Sequence, residues 1–158
     1  IRILVTGGTF DKEYDELTGA LFFRNTHLPE MIRLGRSKLD VLMQTVCMMD
    51  SLEMGAEQRA RILAACLDSP EERILVTHGT DTMVETAQVL AGIPGKVIVL
   101  TGALNPARFQ GSDAVFNIGT AVGAVQTLAD GVYIAMNGRV WDPARVRKNV
   151  AANRFEPA

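Results

Sequence analysis

Residues 73–101, RILVTHGTDTMVETAQVLAGIPGKVIVLT, carry the clearest indication of the fold. Residues 73–77 form a short run rich in β-branched and aliphatic residues, which predicts a buried strand. Residues 82–91 have a helical pattern that a glycine and a proline stop, and residues 97–101 are apolar until the last. Strands that are apolar throughout, separated by a helix, are typical of a parallel sheet covered on both faces.

The same alternation extends to both sides of this unit. Further strands are predicted at 1–5, 39–48 and 132–136, and helices at 29–34, 51–68 and 112–128. Residues 11–25 predict a β-hairpin around Gly19, and the tail from Asp142 predicts at most a short helix. We therefore expect one domain, residues 1–158. Its fold would be a three-layer α/β fold with a mostly parallel sheet, Rossmann- or flavodoxin-like, and an N-terminal β-hairpin.

Composition restricts the class of function. The 158 residues are 47% hydrophobic and 22% charged with a net charge of −2, so nothing argues for a nucleic acid or an anionic membrane as partner. Cys47 and Cys66 lie in apolar segments, which favours a reduced, cytoplasmic setting. No signal peptide, no apolar run of about 20 residues and no metal-ligand spacing is evident.

The polar residues of interest follow the predicted strands. In open α/β sheets, ligands bind outside the carboxyl ends of the strands. Those ends carry Gly7-Gly8-Thr9, Asp50-Ser51, His78-Gly79-Thr80-Asp81 and Thr101-Gly102-Ala103. We therefore expect any ligand site at this edge of the sheet.

The turn after the third of these strands has two interpretations. Thr82 and Glu85 have the spacing of a capping box, which would leave Thr80 and Asp81 in the turn outside the helix. Alternatively, Asp81 is itself the cap and Thr80 is only a turn residue. His78 is expected to be a structural residue with satisfied hydrogen bonds.

Lys96 stands at the start of the strand 97–101. A lysine there is usually solvated. If the fold placed it beside Thr80 and Asp81, burial would lower the pKa of its amine, which could then take a proton from a threonine hydroxyl.

The opening stretch LVTGGTF, residues 4–10, also suggests a nucleotide-binding domain. That fingerprint needs G-x-G-x-x-G leading into a helix, with an acidic residue about 20 positions on. Here the two glycines are adjacent, no third follows, and the hairpin begins instead of a helix. The nucleotide interpretation is therefore disfavoured.

Several motifs together resemble the N-terminal domain of one family, the bacterial-type L-asparaginases and glutaminases, and the resemblance covers nearly the whole chain. They are TGGT (6–9), HGTDTM (78–83), KVIVLTGAL (96–104), YIAMNGRV (133–140) and VRKN (146–149). The resemblance implies that Thr9 is the nucleophile. It further implies a proton-relay triad of Thr80, Asp81 and Lys96, with Tyr14 assisting the nucleophile.

The resemblance also implies a substrate site and a reaction. Substrate contacts would come from five residues: Gly8, Asp50, Ser51, Gly79 and Ala103. Ser51 would hold the substrate's α-carboxylate, and Asp81 would pair with its α-ammonium. The expected function is hydrolysis of the side-chain amide of asparagine or a related amide through an acyl-enzyme, with release of ammonia. No cofactor or metal is implied, and the partners are the amide, water and other copies in a homo-oligomer.

The sequence departs from the family in two ways that keep an alternative open. The family's second domain is expected to be absent, and Leu52 stands where the family commonly has a polar substrate contact. The alternative is a domain that binds an amino acid or amide with little or no turnover.

Overall fold

The computed structural model describes all 158 residues, and its centre is a six-stranded sheet. The strand order is β4-β1-β5-β6-β7-β8, with bounds β1 Arg2–Gly7, β4 Leu42–Met49, β5 Arg73–Thr77, β6 Val97–Thr101, β7 Gly131–Met136 and β8 Arg139–Trp141. The first five are parallel, and β8 returns antiparallel to β7. The prediction of a mostly parallel sheet is confirmed.

Helices cover both faces of this sheet, which makes the three layers. Their bounds are α1 Leu28–Leu34, α2 Ala56–Asp68, α3 Met83–Leu90 and α4 Ala114–Thr127. Alternate residues of β5 face opposite layers: Ile74 and Val76 pack in one apolar cluster with residues of α2 and α3, and Leu75 packs in the other with α1 and α4. None of the four helices combines the length and the apolar character needed to cross a bilayer.

The predicted N-terminal hairpin is confirmed as β2 Lys12–Tyr14 paired with β3 Leu21–Phe23. It follows a three-residue 3-10 turn at Thr9–Asp11. The helix predicted from Ser51 begins later: Ser51–Glu53 form a separate 3-10 turn, and α2 starts only at Ala56. Strand ends that lead into tight turns are what place short polar side chains at the rim of the sheet.

The prediction for the tail is wrong. It forms a hairpin, β9 Val146–Asn149 paired with β10 Arg154–Pro157, instead of a short helix. Val146 and Phe155 are buried in the same cluster as the residues of α3, so tertiary packing selects the extended form. This hairpin folds the end of the chain back towards the turn after β5.

Candidate active site

Three turns meet at the carboxyl edge of the sheet. Val5 of β1 pairs with Thr77 of β5, and Thr77 pairs with Thr101 of β6, so these strands run in register towards the same edge. Glycines let the turns beyond them touch. A side chain on Gly8 would collide with the backbone of Gly79, and a Cβ on Gly79 would lie 2.5 Å from Ser51 Oγ. The loops that carry Thr9, Ser51 and Thr80 are therefore in direct contact.

The two threonines of the first turn have different surroundings. Thr6 is fully buried, and its hydroxyl donates a hydrogen bond of 2.7 Å to the carbonyl oxygen of Thr77. Thr9 begins the 3-10 turn, is half-buried, and its hydroxyl makes no hydrogen bond to the protein. Gly8 precedes it with φ 77° and ψ −178°, a conformation that favours glycine. Thr9 is thus the hydroxyl of this turn that is free for another partner.

Ser51 also has a hydroxyl at this edge without a partner. Ser51 is only 1% exposed, and its Oγ is buried without a hydrogen bond. The neighbouring Asp50 is differently placed, because its carboxylate accepts from the Leu52 amide and from Lys12 Nζ at 2.5 Å. Burial is the largest single influence on the pKa of Asp50 and raises it. The contacts with Lys12 and with the Leu52 amide together outweigh burial, so the pKa of Asp50 lies below its usual range. Asp50 therefore joins the hairpin to the Ser51 turn.

Thr80 contacts a lysine that the sequence analysis did not assign to the site. Lys148 Nζ, on β9, lies 3.1 Å from Thr80 Oγ1 and 2.9 Å from Asn153 Oδ1. Its ammonium also lies 5.4 Å from the ring centre of Phe155. Burial lowers the pKa of Lys148, and the carboxylates of Asp81 and Asp113 counteract this shift. A cation, a hydroxyl and a carboxylate are thus gathered after β5.

The prediction that Lys96 stands beside Thr80 and Asp81 is wrong. Lys96 immediately precedes β6, so it lies at the amino edge of the sheet, whereas the turn with Thr80 lies at the carboxyl edge. Its ammonium donates to the carbonyl oxygens of Ser69 at 2.6 Å and Glu71 at 3.0 Å. Lys96 ties the end of α2 to the sheet.

The capping box predicted at Thr82 and Glu85 does not form. Thr82 occupies the N-cap position of α3, but its hydroxyl donates to the carbonyl oxygen of Ser51 at 2.8 Å. Glu85 pairs instead with Arg59 at 2.8 Å. Thr80 and Asp81 nevertheless lie in the turn outside the helix. The carboxylate of Asp81 is partly exposed and forms no ion pair or hydrogen bond within the protein.

His78 is a buried structural residue. Its Nδ1 lies 2.8 Å from the carbonyl oxygen of Gly79, and its Nε2 lies 2.8 Å from Thr86 Oγ1. A carbonyl oxygen only accepts, so Nδ1 carries the proton and Nε2 accepts from the Thr86 hydroxyl. Burial lowers the pKa of His78 to about 4, which keeps the ring neutral.

Two further predicted site residues, Tyr14 and Ala103, make no side-chain hydrogen bond at the site. Tyr14 is 56% exposed at the end of β2, and no hydrogen bond joins it to Thr9. Ala103 is fully buried and its methyl group belongs to the apolar cluster under α4, so it could offer a ligand only backbone groups. The roles assigned to both residues stay predictions.

The first turn lacks the geometry of a dinucleotide site. Gly8 leads into three residues of 3-10 helix and then into strand β2, so no α-helix N-terminus faces the glycines.

Asp11 is the last residue of this turn. It is fully buried, and its Oδ1 accepts a hydrogen bond from the His27 amide at 3.1 Å. Burial raises the pKa of Asp11 to about 6.

Sequence reasoning missed Lys148 although the segment VRKN is one of the motifs that carry the family resemblance. The missing information is the fold of the tail, because Lys148 and Thr80 are 68 residues apart and only the β9–β10 hairpin brings them together. The one available signal was the resemblance of VRKN to the family, which marks the segment but does not place its lysine beside Thr80.

Comparisons with known proteins identify relatives over nearly the whole chain. The family model described as "Asparaginase, N-terminal" matches residues 1–156. Among curated proteins, the chain is 34% identical over 154 residues to a subunit of the glutamyl-tRNA(Gln) amidotransferase of Methanococcus vannielii, covering 90% of this chain and 35% of that protein. It is 29% identical to the corresponding subunit from Pyrococcus abyssi, covering 90% and 34%. The chain spans about a third of the length of these relatives.

Solved structures give the same result for the fold. The thermostable L-asparaginase from Thermococcus kodakarensis superimposes with a TM-score of 0.82 at 26% identity, covering 99% of this chain and 50% of that one. A probable cytoplasmic L-asparaginase from Campylobacter jejuni gives 0.80 at 26% identity, with the same coverage. The chain therefore spans half the length of these structures.

Proposed function

The chain belongs to the asparaginase family through the family's N-terminal domain, and on that premise we propose that it is an amidohydrolase of linear amides. The substrate is the side-chain amide of asparagine, of glutamine or of a related small amide, and ammonia is released. The names of its relatives, L-asparaginases and part of an amidotransferase, support this class of substrate.

The observation that carries the proposal is the contact between Lys148 Nζ and Thr80 Oγ1, beside the free carboxylate of Asp81. Burial lowers the pKa of Lys148, which raises the fraction of neutral amine at a given pH. A neutral amine accepts the proton of Thr80 as Thr80 in turn deprotonates the attacking hydroxyl or water. Lys148 takes the role that the sequence analysis gave to Lys96.

Thr9 is proposed as the nucleophile. Its hydroxyl has no partner within the protein, and Gly8 holds its turn against the loop of Thr80. The first N–H groups of a short helical turn have no intrahelical acceptor and can stabilise the oxyanion of the tetrahedral intermediate. Attack by Thr9 forms a tetrahedral intermediate, and return of the proton from Lys148 through Thr80 to the amide nitrogen lets ammonia leave. The remaining acyl-enzyme is hydrolysed by water, which gives the carboxylic acid and restores the Thr9 hydroxyl. No step needs a metal or an organic cofactor.

Ser51 and Asp81 are proposed to bind the substrate. The buried Ser51 hydroxyl has an unmet hydrogen bond that a substrate carboxylate can accept, and the unpaired carboxylate of Asp81 suits an ammonium group. Gly8 and Gly79 would contact the substrate through their backbone. Asp50 acts indirectly, since Lys12 occupies its carboxylate.

The test is ammonia release from asparagine, glutamine and small aliphatic amides by the purified protein and by Thr9→Ala. We expect release from at least one amide and its loss in Thr9→Ala. Thr6→Val is the matched control, because Thr6 donates to a backbone carbonyl at the end of the same strand. Activity that survives Thr9→Ala overturns the choice of nucleophile.

The second candidate function, binding of an amino acid or amide with little turnover, is supported by the exposed Leu52 beside Ser51. A leucine side chain donates no hydrogen bond that could help to orient the substrate. Calorimetric binding of an amide without ammonia release from any of them would favour this candidate over the amidohydrolase.

Compartment and assembly are also proposals. A cytoplasmic setting is supported by Cys47 and Cys66, which are both free thiols, as is usual in a reducing compartment. Association into a homo-oligomer is supported by exposed apolar side chains on α4, such as Val115 and Phe116. Light scattering on the purified protein measures the oligomeric state.

A further inference from the structure

One arginine lies behind the candidate site and contacts both of the loops that form it. Arg59, in the first turn of α2, has a side chain that is only 13% exposed. Its Nη1 donates to the carbonyl oxygen of Met54 at 2.8 Å, which closes the turn that carries Ser51. Its Nε donates to Thr86 Oγ1 at 3.2 Å, and its Nη2 pairs with Glu85 at 2.8 Å.

The contact with Thr86 continues to the turn of Thr80 in a chain of hydrogen bonds with a defined direction. Arg59 only donates, so Thr86 Oγ1 is the acceptor and its own proton points to His78 Nε2, 2.8 Å away. The neutral ring then donates from Nδ1 to the carbonyl oxygen of Gly79. Each donor has one acceptor, and the chain ends on the peptide group that precedes Thr80.

We infer that Arg59 is a positioning residue that couples the loop of Ser51 to the loop of Thr80. The planar guanidinium presents its donors in a fixed arrangement, so the Met54 carbonyl and the Thr86 hydroxyl cannot move independently while both bonds are kept. Direct contact between Gly79 and Ser51 brings the loops together, and Arg59 sets their relative position from behind.

The inference concerns the same site as the proposed amidohydrolase, and its kinetic consequence rests on that function. The expected change in loop opening does not depend on that function. Loss of the guanidinium frees the Met54 carbonyl and the Thr86 hydroxyl at once, so both loops should open more often. Loss of the Thr86 hydroxyl alone should loosen only the turn of Thr80.

The test is amide hydrogen exchange by mass spectrometry on the purified chain and three variants. Arg59→Met is expected to exchange several-fold faster in both segments 50–55 and 78–86, and Thr86→Val only in segment 78–86. Arg61→Met is the matched control, because Arg61 lies on the same helix and donates instead to the Val46 carbonyl of β4. Faster exchange in one segment only, or in neither, for Arg59→Met overturns the inference whatever the activity of the protein.

The kinetic readout separates positioning from stability. Misplaced reacting groups cost on the order of 10- to 100-fold in rate, so Arg59→Met should lower kcat/KM by about that factor through both a higher KM and a lower kcat. A purely structural role would lower the melting temperature and leave both constants per folded molecule unchanged. Arg59→Lys keeps the charge but not the two-loop geometry, so it should restore stability better than kcat/KM. If Arg59→Met folds poorly, this lysine variant carries the test, and full recovery of kcat/KM in it overturns the inference.

Discussion

Lys148 Nζ lies 3.1 Å from Thr80 Oγ1 across 68 residues of chain, whereas Lys96, only 16 residues from Thr80, lies at the opposite edge of the sheet. The difference arises from strand direction. A residue that precedes a parallel strand and one that follows its neighbour are separated by the length of a strand. This relationship assigns the proposed proton acceptor to the tail hairpin.

The two lysines predict different results for the same substitution. Lys148→Met should abolish ammonia release, because Thr80 loses the only amine at its hydroxyl. Lys96→Met should keep the activity of the folded protein and lower its stability, because the carbonyls of Ser69 and Glu71 lose a donor. A steady-state assay combined with thermal unfolding distinguishes these outcomes. Full activity in Lys148→Met would refute the proposed base.

The rise of activity with pH should follow the titration of Lys148. Its amine must be neutral to accept a proton, so activity should rise with pH around a midpoint below the ordinary lysine value of 10.5. The carboxylate of Asp81 raises this pKa, and Asp81→Asn should therefore lower it further. A titration of the lysine side chains by NMR measures the pKa even where the variant is inactive. An upward shift in Asp81→Asn contradicts the assignment.

Asp11 should make stability depend on pH. Its pKa rises from 3.8 to about 6 on folding, so the folded state holds the proton more tightly. This contribution is fully present below pH 3.8 and is lost as the pH rises through about 6. Asp11→Asn removes it, and the free energy of unfolding of the variant relative to the wild type should improve by on the order of 2 kcal/mol between about pH 4 and about pH 8. Urea unfolding at both pH values checks this, and a constant difference would refute it.

His78 should stay neutral well below the ordinary histidine pKa. Burial lowers its pKa from 6.5 to about 4, so the stability that the neutral ring provides is present above 6.5 and is lost as the pH falls towards 4. Nitrogen chemical shifts of the ring, measured by NMR, should report a proton on Nδ1 and none on Nε2. A midpoint near the ordinary histidine value, or a proton on Nε2, would contradict the hydrogen bonds described for this residue.

Two glycine substitutions should have opposite effects on stability. Gly79→Ala places a Cβ 2.5 Å from Ser51 Oγ, so the two loops must separate, and both stability and activity should fall. Gly119→Ala lies on the exposed face of α4, where a Cβ meets nothing within 4 Å. It should stabilise the protein by about 0.5–1 kcal/mol, because alanine restricts the unfolded chain more than glycine does. Thermal unfolding of both variants provides the comparison.

Much of the fold follows from the sequence because its strands are buried on both faces. The apolar runs predict strands at residues 73–77 and 97–101 with the bounds that the structure has, and a turn signal predicts the hairpin around Gly19. The prediction for the tail fails because its local pattern is weak. Only the burial of Val146 and Phe155 against the core makes it a hairpin.

The strand pattern is enough to predict which turns form the proposed site. Thr9, Ser51, Thr80 and Asp81 all follow strands of one parallel sheet, and strand direction alone puts such residues at one edge. The side chains that reach these turns from other elements follow only from the packing of the folded chain. Lys148 reaches Thr80 from the tail, and Arg59 reaches two loops from a neighbouring helix. Spacing along the chain carries no information on such contacts, because they depend on how distant elements pack.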